Sequence, residues 1–86
     1  MRITLHQLKV FDTVATHTGF SRASKVLHLT QPTVSMQVKQ LADAVGTPLF
    51  EQIGKKIFLT EAGTVVQSAA RQMFDVIERM ETELAD

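Results

Sequence analysis

The apolar residues of positions 1–29 have the spacing of two amphipathic helices. Thr4 is a suitable N-cap for the first helix, because a threonine hydroxyl can accept a hydrogen bond from a free backbone N–H in the first turn. We expect this helix to end at Gly19, since glycine readily takes the left-handed conformation of a helix C-terminus. Ser21 is then expected to cap a second, shorter helix that ends near His28.

A third amphipathic helix is predicted between Thr30, its candidate N-cap, and Gly46, which is expected at its C-terminal end. Its apolar positions recur at helical spacing and are Val34, Val38, Leu41 and Val45. Because successive residues rotate by about 100° around a helix axis, the other side of this helix is expected to face outward. That side consists of Pro32, Thr33, Met36, Lys39, Gln40 and Asp43.

Beyond Pro48 the pattern changes from helical to extended. The segment "LFEQIGKKIFL" contains two short β-prone runs on either side of the dipeptide Gly54-Lys55, which suits a two-residue type II′ turn. We therefore predict a small β hairpin that carries two lysines, Lys55 and Lys56, at its tip.

The last segment predicts a long helix that follows Thr60, its candidate N-cap. The apolar stripe of this helix consists of Ala62, Val66, Ala69, Met73, Val76, Ile77, Met80 and Leu84. A helix of about 24 residues would be about 36 Å long, which is more than the rest of one small domain can cover. We therefore expect part of the stripe to pair with a second copy of the chain.

The composition limits the class of protein. The chain has 86 residues, which suits one small domain, and it has no cysteine, so disulfides and thiolate metal sites are excluded. No apolar run approaches the roughly 20 residues that a membrane-spanning helix needs. The N-terminus also lacks the layout of a signal peptide, so we expect a cytoplasmic protein.

The formal net charge is zero, but the charges are unevenly distributed along the chain. Residues 1–60 contain seven basic and three acidic side chains, a balance of +4, whereas residues 61–86 contain two basic and six acidic side chains, a balance of −4. The first part can therefore carry a basic surface for a nucleic acid although the total charge is zero.

The outward side of the third helix has the chemistry of a surface that reads bases. Pro32 falls in the first turn, where its missing N–H costs nothing and its fixed φ helps the helix to begin. The helix tip adds free N–H groups and a positive dipole, while amides, hydroxyls and apolar atoms can contact base edges and thymine methyl groups in a major groove.

Gly63 weakens the long helix, which suggests a close approach there, either to a neighbouring element or to the DNA backbone. Candidates for phosphate contact are Arg22, Lys39, Lys55 and Lys56.

These features also occur together in a known family. The segments "GFSRASKVLHLTQPTVS", "VGTPLFEQ" and "LTEAG" follow a first helix that contains an aromatic residue, and they resemble the N-terminal winged helix-turn-helix domain of LysR-type transcriptional regulators. The resemblance covers nearly the whole chain. The segments "HLTQPTVSMQVKQL" and "PLFEQIGKKIFLTEAG" are further similar to the branch of this family that regulates carbon-dioxide fixation (Calvin cycle, RuBisCO) operons.

The resemblance implies a mainly α fold. A three-helix core with a two-stranded β wing would occupy residues 1–60, and a long dimerisation or linker helix would occupy residues 61–86. The recognition helix, residues 31–45, would enter the major groove of a dyad-symmetric operator in double-stranded DNA, with the wing tip at Lys55 in the minor groove and the long helices joined in a homodimer. The residues that the resemblance assigns to base reading are Gln31, Pro32, Thr33, Ser35 and Met36.

The chain departs from the family pattern at two positions. Many members carry Arg where this chain has Gln52, and several carry Arg where it has Met36, so the contacts at these positions are expected to differ. The family also implies a C-terminal domain that binds a small-molecule effector. We therefore interpret the chain as a DNA-binding fragment of a nucleoid-associated protein, without a cofactor of its own.

Two other classes of function compete with this interpretation. A winged-helix module could use the same face to bind a protein, and it would then show no salt-sensitive affinity for DNA. An enzyme is disfavoured because the serines have no His and acid in a recognisable arrangement. The three histidines do not pair at a spacing of four residues and have no thiol nearby, so no metal site is expected.

Overall fold

The computed structural model describes residues 1–85 as four helices and one two-stranded antiparallel sheet. In the sheet Phe50 is paired with Leu59, and Ile53 is paired with Lys56. The prediction of a mainly α fold, with three helices, a β hairpin and a long final helix, is confirmed. The elements in chain order are α1 (Leu5–His17), α2 (Phe20–Leu27), α3 (Gln31–Val45), β1 (Phe50–Ile53), β2 (Lys56–Leu59) and α4 (Glu61–Ala85).

Helix α1 lies at the centre of the packing and contacts α2, α3 and α4. Its side chains Val10, Phe11 and Val14 are completely buried. Burying one side chain of this kind stabilises a fold by about 1.5–3 kcal/mol, so this shared core holds the helices in one arrangement. The buried residues that the other elements add to the core include Ala23, Val34, Leu41, Leu49 and Ala70.

Three threonines cap three of the helices, as the sequence predicts. The Thr4 hydroxyl accepts a hydrogen bond from the Gln7 N–H at 3.0 Å, and the Gln7 side chain accepts one from the Thr4 N–H. The hydroxyls of Thr30 and Thr60 accept hydrogen bonds from the amide three residues later, at 3.3 Å and 3.0 Å. Each cap satisfies a backbone donor that would otherwise be unpaired and contributes about 1 kcal/mol.

The end of α1 differs from the prediction. Helix α1 ends at His17, and Thr18 rather than Gly19 takes the left-handed conformation, with a φ of 51°. The N–H groups of Thr18 and Gly19 both donate to the Val14 carbonyl, so these two bonds close the helix end. A threonine in this conformation is disfavoured locally, and its hydroxyl donates to the His17 carbonyl at 2.8 Å.

The start of α2 differs as well. Gly19 has an extended backbone and precedes the helix, which starts at Phe20, so Ser21 lies inside the first turn and is not the N-cap. The physical reason is a backbone hydrogen bond, because the Gly19 carbonyl accepts the first bond of α2 from the Ala23 N–H at 3.3 Å. The ring of Phe20 meets the ring of Phe50 edge to face, with 5.9 Å between the centroids, and this contact joins the first residue of α2 to the hairpin.

Two glycines adopt positive φ values where the sequence predicts a helix end and a turn. Gly46, with a φ of 92°, follows the last residue of α3, and Gly54, with a φ of 64°, is the first residue of the hairpin turn. The second turn residue, Lys55, does not have a positive φ, which is the pattern of a type II′ turn. Lys55 therefore lies in the turn itself, and Lys56 begins β2.

Helix α4 starts in close contact with the base of the hairpin. The Thr60 N–H donates to the Leu49 carbonyl at 3.0 Å, and the Thr60 hydroxyl donates to the Pro48 carbonyl at 2.7 Å. Gly63 is buried, and a Cβ at this position would overlap the Leu49 carbonyl oxygen and lie 3.1 Å from Leu59 Cδ2. Of the two alternatives for Gly63, the structure shows an approach to the backbone of the protein itself.

The second half of α4 projects from the core, and the molecule measures 49 × 27 × 19 Å. Ala70 is fully buried, and Phe74 packs partly buried against the core. From Asp75 to Ala85 every residue is exposed, apart from Ile77, which is half-buried. Within residues 1–85, no helix has the length and apolar character that crossing a membrane requires.

We expect Gly63→Ala to lower the free energy of unfolding by about 1–3 kcal/mol, because the added methyl group overlaps the Leu49 carbonyl. This loss exceeds the gain in helix propensity, which is at most about 1 kcal/mol. Urea denaturation measures the difference. Ser68→Ala, at an exposed position of the same helix, is the matched control and should change the value by less than about 0.5 kcal/mol. A Gly63→Ala chain as stable as the parent would contradict the tight approach.

Candidate nucleic-acid interface

The outer side of α3 is exposed, as the sequence predicts, with Thr33 as the exception. Val34, Val38 and Leu41 of this helix are buried in the core. Gln31 and Pro32 form the first turn, and Met36 in the next turn is 49% exposed. The exposed residues, which we name the α3 front, are Gln31, Pro32, Ser35, Met36, Lys39, Gln40 and Asp43.

Thr33 belongs to the helix cap and does not face outward as predicted. Its side chain is half-buried, and its hydroxyl oxygen lies 2.8 Å from the Thr30 hydroxyl, from which it accepts a hydrogen bond. Its backbone N–H donates to the same Thr30 oxygen. A capping residue holds the third residue of the helix close to itself. The angle of Thr33 around the helix axis alone therefore predicts the wrong exposure for its side chain.

The tip of α3 offers donors and a positive dipole to a ligand. The Gln31 N–H makes no hydrogen bond with any residue in 1–85, and Pro32 has no N–H to satisfy. The exposed Gln31 amide and Ser35 hydroxyl lie one turn apart on the same side of the helix. This arrangement can donate to and accept from base edges or phosphate oxygens.

The three polar side chains further along the α3 front, Lys39, Gln40 and Asp43, have partners. Lys39 Nζ lies 3.4 Å from Asp43 Oδ2, and the two side chains are 77% and 69% exposed. An ion pair this exposed contributes little stability, so a phosphate can replace the carboxylate as the partner of Lys39. Gln40 accepts a weak hydrogen bond from the Gln7 side chain of α1 at 3.5 Å.

Arg2 is a candidate that sequence reasoning missed. Arg2 is exposed and lines a groove together with Gln7 and Gln40, so it lies beside the α3 front. Its charge contributes to the basic balance of residues 1–60, but the 38 positions that separate Arg2 from Gln40 give no sign in the sequence that the two are neighbours.

Two of the predicted phosphate contacts share one groove. Arg22, in the first turn of α2, and Lys56, at the start of β2, line a groove between the α1–α2 junction and the hairpin. Both side chains are exposed, as is Lys55 in the turn. The groove also includes the helix end at Thr18 and the ring of Phe58. Two cations in one groove form a suitable site for a phosphate of a nucleic-acid backbone.

Gln52, where many family members have Arg, supports the hairpin turn. Its side-chain amide donates to the Gly54 carbonyl at 3.3 Å. On the other face of the hairpin, Ile53 and Phe58 are 58% and 47% exposed. The hairpin thus combines a lysine tip with two exposed apolar side chains, which share their face with Glu51 and Lys56.

The predicted apolar stripe of α4 divides into two parts. Ala62 and Val66 pack, partly buried, against the core of their own domain. Met73, Val76, Met80 and Leu84 are 40%, 55%, 51% and 76% exposed. Ala69, which lies between the two sets, and Ile77, which lies within the second, are half-buried. The first set has a partner within the chain, and the second set has none among residues 1–85.

A three-helix core that presents its third helix, followed by a β hairpin, defines a winged helix-turn-helix. Within residues 1–85, no cluster of three His, Cys, Asp or Glu side chains is arranged to hold a metal ion. The pattern described as "Bacterial regulatory helix-turn-helix protein, lysR family" matches residues 5–64. The chain therefore belongs to the LysR family.

Known relatives agree with this assignment. The chain is 56% identical over 82 residues to a RuBisCO operon transcriptional regulator of Acidithiobacillus ferrooxidans, and the match covers 95% of this chain and 26% of that protein. It is 48% identical over 83 residues to the HTH-type transcriptional activator CmpR of Synechocystis sp., covering 96% of this chain and 27% of that protein. The chain thus spans about a quarter of the length of these relatives.

A solved DNA complex has the same fold. The crystal structure of the CbnR_DBD–DNA complex matches with a TM-score of 0.87 and 30% sequence identity, and the match covers 96% of this chain and 95% of that chain. CbnR is described as a LysR family transcriptional regulator. The match therefore includes both the winged helix-turn-helix and the long helix.

Proposed function

We propose that the chain is the DNA-binding and dimerisation part of a LysR-type transcription regulator. In this proposal residues 1–60 bind DNA, residues 61–86 join two copies, and the dimer binds a dyad-symmetric operator. One observation carries the proposal, namely that the α3 front is exposed on a fold shared with a solved complex with DNA. The relatives are named as regulators, and we propose no enzymatic reaction.

In the proposed complex α3 enters the major groove with its N-terminal tip first. Gln31 is placed to pair with a base edge, because a side-chain amide can donate and accept at once. Pro32 and Met36 offer apolar atoms that can contact thymine methyl groups. Ser35 donates from the next turn, and Thr33 contributes mainly by holding the cap that orients the tip.

Phosphate contacts fix the position of the reading helix. Arg22 and Lys56 hold one phosphate in their shared groove, and Lys39 exchanges Asp43 for another. Lys55 enters the neighbouring minor groove from the turn. Arg2 adds a contact near Gln40.

The proposed dimer uses the part of α4 that the domain leaves uncovered. Exposed large apolar side chains at helical spacing, such as those of Val76, Met80 and Leu84, indicate a partner helix. A second copy of the same helix provides that partner, and the apolar stripe then becomes the dimer seam. Two copies of α3 on one rigid dimer would bind two half-sites.

The genes under control are proposed from the relatives. Because the first relative is a RuBisCO operon regulator, we propose that this chain directs binding to operators of carbon-fixation genes. The relatives are about four times as long as this chain. Binding of a small-molecule effector is accordingly proposed for a further domain of the whole protein.

Gln31→Ala is expected to reduce the preference for the operator over random DNA by about 5- to 150-fold, because one good base contact is worth about 1–3 kcal/mol of discrimination. Fluorescence anisotropy with both duplexes at one salt concentration measures this ratio. Gln37→Ala, on the half-buried side of the same helix, is the control for helix integrity. An unchanged ratio in Gln31→Ala would refute base reading by the tip of α3.

Lys55→Ala is expected to weaken binding to operator and random DNA about equally, because a phosphate contact carries no sequence information. The slope of log K against log salt concentration should become shallower by roughly 0.9 per domain, that is, by about two for the dimer. A protein-binding module would instead show no salt-dependent DNA affinity, even with Lys55 in place. Glu61→Ala, outside residues 1–60, is the matched exposed variant.

Met80→Asp is expected to shift the chain from dimer to monomer, because a charge in an apolar seam loses its hydration without gaining a partner. Sedimentation equilibrium over a concentration series measures the dissociation constant. Thr82→Asp places the same charge on the opposite side of α4 and should leave the dimer intact. If both variants stayed dimeric, α4 would not form the seam.

A further inference from the structure

A polar cluster joins α1 to α4 outside the proposed DNA surface and outside the apolar seam. Asp12 Oδ1 accepts hydrogen bonds from Arg71 Nε at 3.2 Å and from the Gln67 side chain at 3.4 Å. Arg71 Nη2 also donates to the Thr16 hydroxyl at 3.4 Å. We name Asp12, Thr16, Gln67 and Arg71 the α1–α4 bracket.

The bracket adds directional hydrogen bonds to the apolar packing between the same two helices. In this packing α4 contributes the fully buried Ala70, which permits close approach, and the partly buried Val66 and Phe74. Gln67 and Arg71 lie one turn apart on α4 and meet at the same carboxylate oxygen, so a rotation or shift of α4 breaks at least one bond. The Asp12 side chain is only 16% exposed, so water competes poorly for it.

The bracket adds less to stability than to geometry. The Arg71 side chain is 56% exposed, and an ion pair with one partner this exposed contributes little to folding. The core residues of α1 are buried independently of the bracket. Loss of the bracket should therefore leave a folded chain in which the angle between α1 and α4 is less well defined.

We propose that the α1–α4 bracket sets the spacing of half-sites that the dimer accepts. This inference rests on the proposed dimeric DNA-binding function. Helix α1 packs against α3 on one side and against α4 on another, so the angle between α1 and α4 decides where each α3 lies relative to the dimer axis. The molecule extends 27 Å along the second of its three principal axes. A rotation of about 8° across that distance moves the far side by about 3.8 Å, which is close to the base-pair rise of about 3.4 Å.

Asp12 and Arg71 are thus positioning residues that act through α1 and α4 without touching DNA. The test uses duplexes that carry two copies of the half-site that the parent chain selects from a random pool, with spacers varied one base pair at a time. The affinity for a duplex with a single half-site measures the binding of one DNA-binding domain. The parent should prefer one spacing by at least about tenfold over its neighbours, since mismatched geometry loses contacts in one half-site.

Asp12→Ala should reduce that preference to less than about threefold, while the affinity for a single half-site stays within about twofold of the parent. Arg71→Lys keeps the charge and loses the Nη2 donor, so it should give an intermediate loss without risk to the fold. Glu61→Ala, which removes an exposed carboxylate from the same helix, should keep the parent preference. Sedimentation should show that all variants remain dimers.

The outcomes separate this inference from the function on which it rests. If the parent prefers one spacing and Asp12→Ala keeps that preference, the bracket does not set the spacing, although the DNA-binding function stands. If the parent binds paired half-sites no better than a single one, both the dimeric function and this inference are overturned. Loss of spacing preference together with equal loss of single-site affinity would assign the bracket to folding and overturn its positioning role.

Discussion

The burial of one side of α1 is the constraint on which the other features depend. Val10, Phe11 and Val14 have no exposed surface, and α2, α3 and α4 all contact this helix. Because interiors are packed as tightly as organic crystals, such a helix transmits a change in position on one side to the elements on the other side. The same helix therefore determines how far α3 protrudes and in which direction α4 leaves the domain.

The wing is attached to this core by aromatic rings and by backbone bonds at its base. The ring of Phe50 lies between those of Phe11 and Phe20, with centroids 5.1 and 5.9 Å away. Directly after the other strand, Thr60 closes the base of the hairpin with two hydrogen bonds and caps α4 as well. One threonine thus couples the position of the wing to the start of the long helix, and the absence of a side chain at Gly63 allows the two to meet.

Features that depend on short stretches of chain could be predicted from the sequence. The three threonine caps, the turn at Gly54 and the buried side of α3 follow from local hydrogen bonding and from helical periodicity. The prediction for the junction at Thr18 is wrong, because the local preference favours glycine in the left-handed conformation, whereas Thr18 takes it and Gly19 is extended. The pairing of Asp12 with Arg71, 59 positions apart, and the groove shared by Arg22 and Lys56 could not be predicted, because only the folded chain brings these distant positions together.

The basic and the acidic parts of the chain lie apart in space as well as in sequence. A net charge of zero therefore does not imply a surface that is neutral everywhere. Within residues 1–85, the ion pair between the two halves of the chain joins Arg71 of α4 to Asp12 of α1. The acidic residues of the described part of α4 form no ion pair with the basic side chains of residues 1–60, so they leave Arg22, Lys55 and Lys56 available. Attraction between exposed charges decays over about 8–10 Å at moderate salt concentration. An acidic helix that projects from the core can therefore keep the chain neutral overall while the reading helix and the wing present a basic surface to a phosphate backbone.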